Sequence, residues 1–564
     1  MPKTKRRMMK RRTIPLLLGA TLLLGMACAS ARKSSHDAAL ARNLNTFNAL
    51  VKSLEENYVD TIRVDEAFEQ AIAAMLSTVD PYTEYYSADE AEQLIRMTTG
   101  EYGGIGSYIL VRDSMTYISG PYENSPAAEA GLRAGDKILF VDSTDVHSKF
   151  VPDVSKLLRG QPGTTVRVQV ARPYVGADSI LDFNIKRRKL QQPSVTYWGM
   201  VRDSIGYINL DQFIVKSPEE MEQGLKELLA HPEMKGLILD LRGNGGGLVE
   251  SAVEILGLFL PKGTEVLSTQ GSESRPVKTY KTRRDPIVPS DMPMAVLIDG
   301  GSASAAEITA GALQDLDRAV IVGSRSFGKG LVQSTLPLPF DGMLKVTVAK
   351  YLLPSGRLIQ ALDYSRRNPD GSVARTPDSL TNIFHTRAGR EVRDGGGLKP
   401  DSTVEWPRPS ALLYQLVTDQ KIFDFANQYS ATHPQIPSPA EFTITDSIYA
   451  QFRRSINPAS FKYTPSTDVL LKQLREAAKL EGYLQEEGGE ELLTQADSLF
   501  APDLERDLTL RRAEIERYLL PEILNRYYYE KGAAAGRLRN DEGVDAAAAI
   551  LRSGDYRKIL RQKP

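Results

Sequence analysis

The spacing of hydrophobic and polar residues divides the 564-residue chain into two helical ends and a mixed middle. Between residues 37 and 77, apolar side chains recur every three or four positions, which predicts a pair of amphipathic helices. From about residue 100 to residue 405, short apolar runs alternate with helical spacing, which predicts strands and helices in turn. After residue 406, helical spacing with mixed charge continues through most of the tail. The pattern therefore predicts an α/β core between two helical ends.

Two apolar runs in that middle, residues 295–298 and 319–322, have the length and the β-branched content of buried strands. The small-residue segment between them, residues 303–313, predicts a helix. Glycine and serine crowd the turn before this helix, so the backbone can turn sharply and another chain can approach closely. Ser304 stands at this turn, beside free backbone N–H groups that suit a developing oxyanion. Ser304 fits a nucleophile, but Ser304-Ala-Ala-Glu307 also fits a capping box in which the serine only ends the helix.

Lys329 follows the second of these strands within the sequence Phe327-Gly-Lys-Gly330, and Gln333 comes four residues later. A lysine among glycines and apolar residues can be buried, and burial favours the neutral amine that a base requires. Because this stretch has no histidine, Lys329 is the natural proton acceptor if Ser304 is activated. The residues thus favour a Ser-Lys form of the nucleophile-base pair.

Two other motifs overlap Lys329. Residues 323–329 fit the first part of a P-loop, but Gly330 stands where magnesium binding requires serine or threonine, and no helix is predicted next. Ser326-Phe-Gly-Lys329 fits the S-x-x-K of penicillin-recognising enzymes, but the chain has neither Ser-Asp-Asn nor Lys-Thr-Gly. Nucleotide hydrolysis and penicillin recognition are therefore both disfavoured.

The segments Gly301-Ser-Ala-Ser-Ala-Ala-Glu307 and Phe327-Gly-Lys-Gly-Leu-Val-Gln333 together resemble the carboxyl-terminal processing peptidases of family S41, which are PDZ-containing Ser-Lys proteases. This resemblance implies that Ser304 is the nucleophile and that Lys329 is the base. It also implies that Gln333 helps to orient the lysine.

A glycine run, residues 243–247, follows another predicted buried strand and precedes a predicted helix. In the peptidases that this chain resembles, the corresponding segment lies against the nucleophile and donates one N–H of the oxyanion hole. The resemblance points to Gly246, with Gly247 adjacent, and to the N–H of Ala305 as the second donor. Which of the two glycines donates is left open by the sequence.

Residues 99–190 show a strand order and a Ser125-Pro-Ala-Ala-Glu-Ala-Gly-Leu132 segment that resemble a PDZ domain. PDZ domains bind an extended peptide as an added strand and hold its terminal carboxylate on backbone N–H groups. The loop expected to do this is formed by Gly104, Ile105 and Gly106, because glycines keep side chains away from the carboxylate. The alternative is a β-turn without a ligand.

The amino terminus begins with seven basic residues before position 13, followed by an apolar run over residues 14–29. This run is short for a membrane span and predicts an export signal to the bacterial periplasm or cell envelope. Cys28, the only cysteine, stands where a bacterial lipoprotein signal carries its lipidated cysteine, although Gly25 replaces the usual apolar residue. The alternative is a plain signal peptide or an uncleaved anchor. In either case membrane contact is expected only through this end.

Composition limits the partners and cofactors. The chain has 70 basic and 71 acidic residues, which argues against a nucleic acid as the main partner. Its one cysteine and five scattered histidines make a metal site unexpected, and no cofactor is predicted.

The sequence as a whole predicts a multidomain α/β protein. The resemblance to the S41 peptidases implies that its peptidase core has a crotonase-like fold. The expected regions are a signal peptide (1–28), a helical region (29–98), a PDZ domain (99–190), a peptidase domain (191–405) and a helical extension (406–564). The predicted function is an exported serine endopeptidase that recognises substrate C-termini and acts on extended peptides. The alternative is an inactive PDZ scaffold. The helical extension could form homo-oligomers or bind an adaptor protein.

Overall fold

The computed structural model describes residues 37–172, 179–272, 276–364, 367–368 and 372–561. Cys28 and the predicted export signal lie outside these residues. The chain forms two compact units, one up to Pro81 and one from Tyr82 onward, and each is described by itself. Among the helices that the structure describes, none combines the length and the apolar character needed to cross a membrane.

The first unit contains two helices, α1 (37–57) and α2 (Val64–Ser77). The rings of Phe47 and Phe68 meet edge to face, with their centroids 5.7 Å apart, and join the two helices. Apolar side chains of α1 such as Leu44 and Leu50 are nevertheless more than half exposed, at 60% and 56%. The helical prediction for this region is confirmed, and the unit keeps an apolar surface.

The second unit opens with a short strand and a helix and continues as a small β domain. Its antiparallel sheet has the order β3-β4-β5-β7-β8, with β6 on β5, and β2 pairs separately with β9. The elements are β1 (Glu84–Tyr86), α3 (Ala88–Thr99), β2 (Glu101–Gly104), β3 (Ser107–Arg112), β4 (Met115–Pro121), α4 (Pro126–Ala130), β5 (Lys137–Val141), β6 (Thr144–Asp145), α5 (Val151–Leu158), β7 (Thr165–Arg172), β8 (Ser179–Lys186) and β9 (Arg188–Gln191). Because β3 is an edge strand, one of its sides is available for strand addition.

The larger α/β domain follows. Its elements are β10 (Tyr197–Val201), β11 (Ile205–Asn209), α6 (Ser217–Leu229), β12 (Gly236–Asp240), α7 (Val249–Leu256), β13 (Glu265–Gly271), β14 (Lys278–Lys281), β15 (Met294–Ile298), α8 (Ala305–Asp315), β16 (Val320–Gly323), β17 (Leu331–Pro337), β18 (Met343–Leu352), β19 (Ile383–His385), β20 (Glu391–Arg393) and β21 (Ser402–Thr403).

A six-stranded sheet forms the centre of this domain, in the order β10-β11-β12-β15-β16-β21. All its pairings are parallel except β10 with β11. Every residue of β12 and of β15 is buried, as expected for strands covered on both faces. The carboxyl ends of parallel strands lie at one edge of a sheet, where ligands usually bind. The loops after β12 and β15 therefore meet, and these loops are the glycine run and the turn that carries Ser304.

A second, antiparallel sheet covers the same edge. Its longest strand, β18, pairs with β17 on one side and with β13 and β1 on the other. Strand β1 precedes the β domain in the chain and pairs with residues 343–345 of β18. A segment from the beginning of the second unit is thus part of this second sheet.

The carboxyl-terminal region is helical, with α9 (Ala411–Thr418), α10 (Lys421–Thr432), α11 (Asp446–Ser455), α12 (Ser466–Leu480), α13 (Gly489–Phe500), α14 (Leu504–Leu510), α15 (Arg512–Arg537), α16 (Glu542–Arg552) and α17 (Asp555–Arg561). It contacts both preceding domains. Val544 and Ala547 of α16 are buried in the cluster that includes Leu297 of β15. Arg112 of β3 donates to both carboxylate oxygens of Asp424, each at 2.8 Å.

Candidate active site

Ser304 lies at a strained turn between β15 and α8. Its backbone angles are φ 54° and ψ −114°, in a region that favours glycine and that costs other residues about 1–3 kcal/mol. Its backbone departs from the extended conformation of an ordinary N-cap residue, although the reciprocal contacts of the predicted capping box between Ser304 and Glu307 are both present. The residue is 9% exposed and lines a cavity of about 1010 Å³. The turn therefore places the Ser304 residue at the wall of a cavity.

The same cavity brings together the predicted catalytic residues. Ser304, Lys329 and Gln333 all line it. Apolar side chains, among them those of Ile308 and Val348, form other parts of its wall. Its volume is at the upper end for binding pockets in proteins, so it has room for a peptide segment.

Lys329 lies in the loop between β16 and β17, and hydrogen bonds hold both its backbone N–H and its backbone carbonyl. Its N–H donates to Glu307 Oε2 at 2.8 Å, and its carbonyl accepts from the Tyr351 hydroxyl at 2.7 Å. Burial raises the pKa of Tyr351 well above its ordinary value, so this hydroxyl remains a donor. The Lys329 Nζ lies 4.3 Å from the centroid of the Tyr82 ring. Gln333, on β17, donates its side-chain amide to Thr347 Oγ1 at 3.1 Å.

Glu307 connects the serine turn to the lysine loop. Its Oε2 accepts the N–H groups of Ser304 at 3.0 Å and Lys329 at 2.8 Å. Its Oε1 accepts the Ser326 hydroxyl at 2.5 Å and the Gly328 N–H at 2.8 Å. Burial raises the pKa of Glu307 to about 7, although its hydrogen bonds to Ser326 and to three backbone N–H groups act in the opposite direction. One buried side chain thus fixes the backbone on both sides of the site.

The glycine run packs directly against Ser304. Gly246 has φ 100°, and a Cβ on it would lie 2.7 Å from the Ala303 carbonyl oxygen and 2.8 Å from Ser304 Cβ. Only glycine permits this approach. The Gly246 N–H donates to Asn244 Oδ1 at 2.8 Å. Gly247, with φ 141°, lines the cavity.

The Ala305 N–H is the first of α8. The first N–H groups of a helix have no intrahelical acceptor, so this donor is available beside Ser304. Asp299 Oδ1 accepts N–H groups from Gly243 and Gly301, both at 2.9 Å, and so ties the glycine run to the serine turn.

A second cavity, of about 250 Å³, lies in the β domain between β3 and α5. Ile105 and Gly106 of the predicted carboxylate loop line it, as do Leu158 and Arg159. Gly104 instead ends β2, where it pairs with Arg188. The structure therefore places two of the three predicted loop residues at this groove.

The motifs that the sequence analysis disfavoured take other roles. Ser326 is buried, and its hydroxyl donates to Glu307, while the Leu398 N–H donates to Ser326 Oγ at 2.6 Å. Strand β16 continues through a loop into β17, where a P-loop would require a helix. Ser326 is a structural residue in this arrangement.

Sequence reasoning missed two groups of the site. Glu307 was considered only as a member of a capping box, although an acidic residue in a helix of small and apolar residues is a signal for a buried role. Tyr82 follows the predicted helical pair, and the Asp80-Pro-Tyr82 sequence alone does not indicate a contact with the lysine.

Comparison with protein-family models gives three matches. Peptidase family S41 matches residues 204–370, a PDZ domain matches residues 117–172, and the family described as "Probable PDZ-protease, C-terminal helical domain" matches residues 412–551. These matches show a mixed α/β protein that combines a PDZ domain, an S41 peptidase domain and a helical C-terminal domain.

Curated relatives agree with these models. The chain is 35% identical over 324 residues to a carboxy-terminal-processing protease of Bartonella bacilliformis, a match that covers 57% of this chain and 73% of that protein. It is 30% identical over 376 residues to a probable CtpA-like serine protease of Staphylococcus haemolyticus, covering 66% of this chain and 73% of that one. A solved structure, the photosystem II D1 C-terminal processing protease, is 27% identical with a TM-score of 0.35, covering 64% of this chain and 86% of that one.

We predict that Glu307→Gln lowers thermal stability more at pH 5 than at pH 8. Because the pKa of Glu307 is about 7, above its ordinary value of 4.5, the folded chain binds this proton more tightly than the unfolded chain. The resulting stabilisation, up to about 3 kcal/mol, is present below pH 4.5 and is lost as the pH rises through 7. A glutamine lacks this proton, and its NH₂ group faces N–H donors at both pH values.

Melting temperatures of the wild type and the variant, measured at the two pH values, test this expectation. Glu250→Gln is the matched control, because Glu250 lines the same cavity but is exposed. An equal loss of melting temperature for Glu307→Gln at both pH values would contradict the role of burial.

Proposed function

Because this chain belongs to the carboxyl-terminal processing peptidases of family S41, we propose that it hydrolyses peptide bonds as a serine endopeptidase with a Ser304–Lys329 dyad. The observation that carries the proposal is the shared cavity. Ser304 and Lys329 line the same cavity. Glu307 Oε2 accepts the backbone N–H groups of Ser304 and Lys329, at 3.0 and 2.8 Å.

In the proposed reaction, the neutral Lys329 amine takes the proton of the Ser304 hydroxyl as the serine oxygen attacks the peptide carbonyl carbon. The ammonium then returns that proton to the leaving amine, and an acyl-enzyme remains on Ser304. Water, activated in the same way by Lys329, hydrolyses the acyl-enzyme. Gln333 supports the lysine from β17, where Thr347 anchors its amide.

The oxyanion of the tetrahedral intermediate is assigned to the N–H of Ala305 and to one N–H of the glycine run. Gly247 is the better donor of the two candidates, because the Gly246 N–H already donates to Asn244 Oδ1. Gly247 also lines the cavity. Loss of one such donor typically costs about 3–4 kcal/mol of transition-state stabilisation.

Substrate recognition is assigned to the groove of the PDZ domain. An extended C-terminal segment would add to the free edge of β3, with its carboxylate at the Ile105 and Gly106 loop. Ile109 and Leu158 line this groove and favour an apolar terminal residue. Met97, near the end of α3, lines both the groove and the catalytic cavity, so the two sites adjoin.

Export is also part of the proposal. It is supported by the basic residues and the apolar run that precede residue 30. We assign the mature protein to the bacterial periplasm or cell envelope, with Cys28 as a lipid attachment site.

The first prediction concerns the dyad. We expect protein lacking residues 1–30 to cut casein, and Ser304→Ala or Lys329→Ala to lower the rate at least about 1000-fold, because each removes one half of the nucleophile-base pair. Ser334→Ala and Lys278→Ala, two other residues of the cavity wall, are the matched controls and should remain active. Cleavage is followed by mass spectrometry. Equal cutting by all variants would refute the dyad, and no cutting by the wild type would favour an inactive scaffold.

The second prediction concerns the free C-terminus. A peptide that ends in a carboxamide should be cut at least about 10-fold less efficiently than the same peptide with a free carboxylate. The neutral amide cannot form the charge-assisted hydrogen bonds that a carboxylate accepts from the loop N–H groups. Acetylation of the peptide's amino end is the control and should change little. Equal kcat/KM values for the free and amidated peptides would argue against C-terminal recognition.

The third prediction concerns Cys28. In a bacterial host, the wild-type chain should incorporate labelled palmitate and fractionate with membranes, whereas Cys28→Ser should not be labelled. An exported wild-type chain without label, whose first residue lies after the apolar run, would instead indicate a plain signal peptide.

A further inference from the structure

Residues 82–86, here called the β1 segment, lie beside β18, whose residues Lys345, Val348 and Ala349 line the catalytic cavity. Their strand pairs with β18, with Glu84 opposite Lys345. The Glu84 carboxylate and the Lys345 ammonium form an ion pair at 2.8 Å, which fixes the register of the pairing. Lys345 also lines the cavity. The segment is therefore held at a defined position beside the site.

Tyr82 begins this segment and lies against Lys329. The Lys329 Nζ is 4.3 Å from the centre of its ring, well within the range of a cation–π contact. The ring is held in turn by Tyr364, whose ring meets it edge to face with centroids 5.9 Å apart. The Tyr364 hydroxyl also donates to the Tyr82 hydroxyl at 3.3 Å. Tyr82 is thus fixed on one side by Tyr364 and presents its ring to the lysine.

The next residue of the β1 segment, Thr83, is connected to Gln333 through Thr347. The Thr347 N–H donates to Thr83 Oγ1 at 3.3 Å, and Thr347 Oγ1 accepts the Gln333 amide at 3.1 Å. Thr83 is 6% exposed. Two consecutive residues of one segment are therefore connected to Lys329 and to Gln333.

We propose that Tyr82 is a positioning residue for Lys329: its ring orients the side chain and stabilises the positive charge that the amine acquires when it takes the Ser304 proton. This inference rests on the Ser304–Lys329 function proposed above. In nucleophile-base pairs the base is commonly oriented by a third group, which also stabilises its protonated form. A neutral aromatic ring supplies that stabilisation through its electron-rich face.

Other charged groups also act on Lys329. Glu84 of β1 interacts electrostatically with it, Lys345 of β18 is the ion-pair partner of Glu84, and Glu307 of α8 accepts its backbone N–H. Among the described residues, Tyr364 and Tyr351 also bring hydroxyl groups close to Lys329 or to the Tyr82 ring. Substitution of Tyr82 removes none of these charged groups, and the Tyr82→Phe variant separates the loss of the ring from the loss of the hydrogen bond to Tyr364.

The proposal predicts that Tyr82→Leu changes both the acid limb of the kcat/KM profile and the plateau of kcat. Without the ring the ammonium is less stable, so the neutral amine persists to lower pH. The acid limb of the kcat/KM profile should therefore move to lower pH by about 0.5–1.5 units. The plateau of kcat should fall about 10-fold, because the base is no longer held in line with Ser304.

The experiment compares pH profiles of kcat and kcat/KM for the wild type, Tyr82→Leu and Tyr82→Phe, with a fluorogenic peptide substrate. Tyr82→Phe keeps the ring and should retain both the wild-type limb and most of the plateau. Tyr85→Leu is the matched control, because Tyr85 lies in the same strand, with its ring beside Gly342. It should not move the acid limb. A purely structural role would lower activity in Tyr82→Leu without moving the limb.

Lys329→Ala separates the two proposals. If Lys329→Ala is inactive while Tyr82→Leu keeps the wild-type limb, the role of Tyr82 is refuted and the dyad stands. If Tyr82→Phe loses as much activity as Tyr82→Leu, the ring is not the active feature and the proposal is again refuted. If Lys329→Ala keeps wild-type activity, both the dyad and the role of Tyr82 are refuted.

Discussion

The buried carboxylate of Glu307 is the group on which the geometry of the catalytic region depends. Taking a carboxylate out of water is costly unless its oxygens are hydrogen-bonded, and here both are, by donors from the serine turn, the lysine loop and Ser326. Ser304 and Lys329 lie on different loops of the sheet edge. Because one rigid side chain contacts the backbone of each, neither loop can shift without breaking a hydrogen bond to the same group.

The helical region extends this rigidity to the whole second unit. Arg242, just after β12, pairs with Asp240 and with Asp541 beside α16. Arg112 of the PDZ domain pairs with Asp424 of α10. The peptidase and PDZ domains are therefore both tied to the same set of helices. The groove and the catalytic cavity are kept in a defined relation by contacts outside either site.

Much of this could be predicted from the sequence. The buried strands and the helix between them follow from residue pattern, and the motif places Ser304, Lys329 and Gln333 at one cavity. The role of Glu307 could not be predicted, because burial of an acid depends on donors that only the tertiary fold supplies. The contact of Tyr82 depends on the pairing of β1 with β18, in which Glu84 and Lys345 are 261 residues apart in the chain. The helical spacing predicted after residue 406 is interrupted between α9 and α10 at Gln420, whose φ of 52° has no local sequence signal.

The catalytic region is built from segments that are far apart in the chain, from Tyr82 to β18. The parallel strands and the pairing of β1 with β18 require contacts between residues far apart in the chain, which are slow to form. A nascent chain that lacks β17 or β18 has no oriented lysine beside its serine. Under the function proposed above, proteolytic competence therefore depends on strands that come late in the chain.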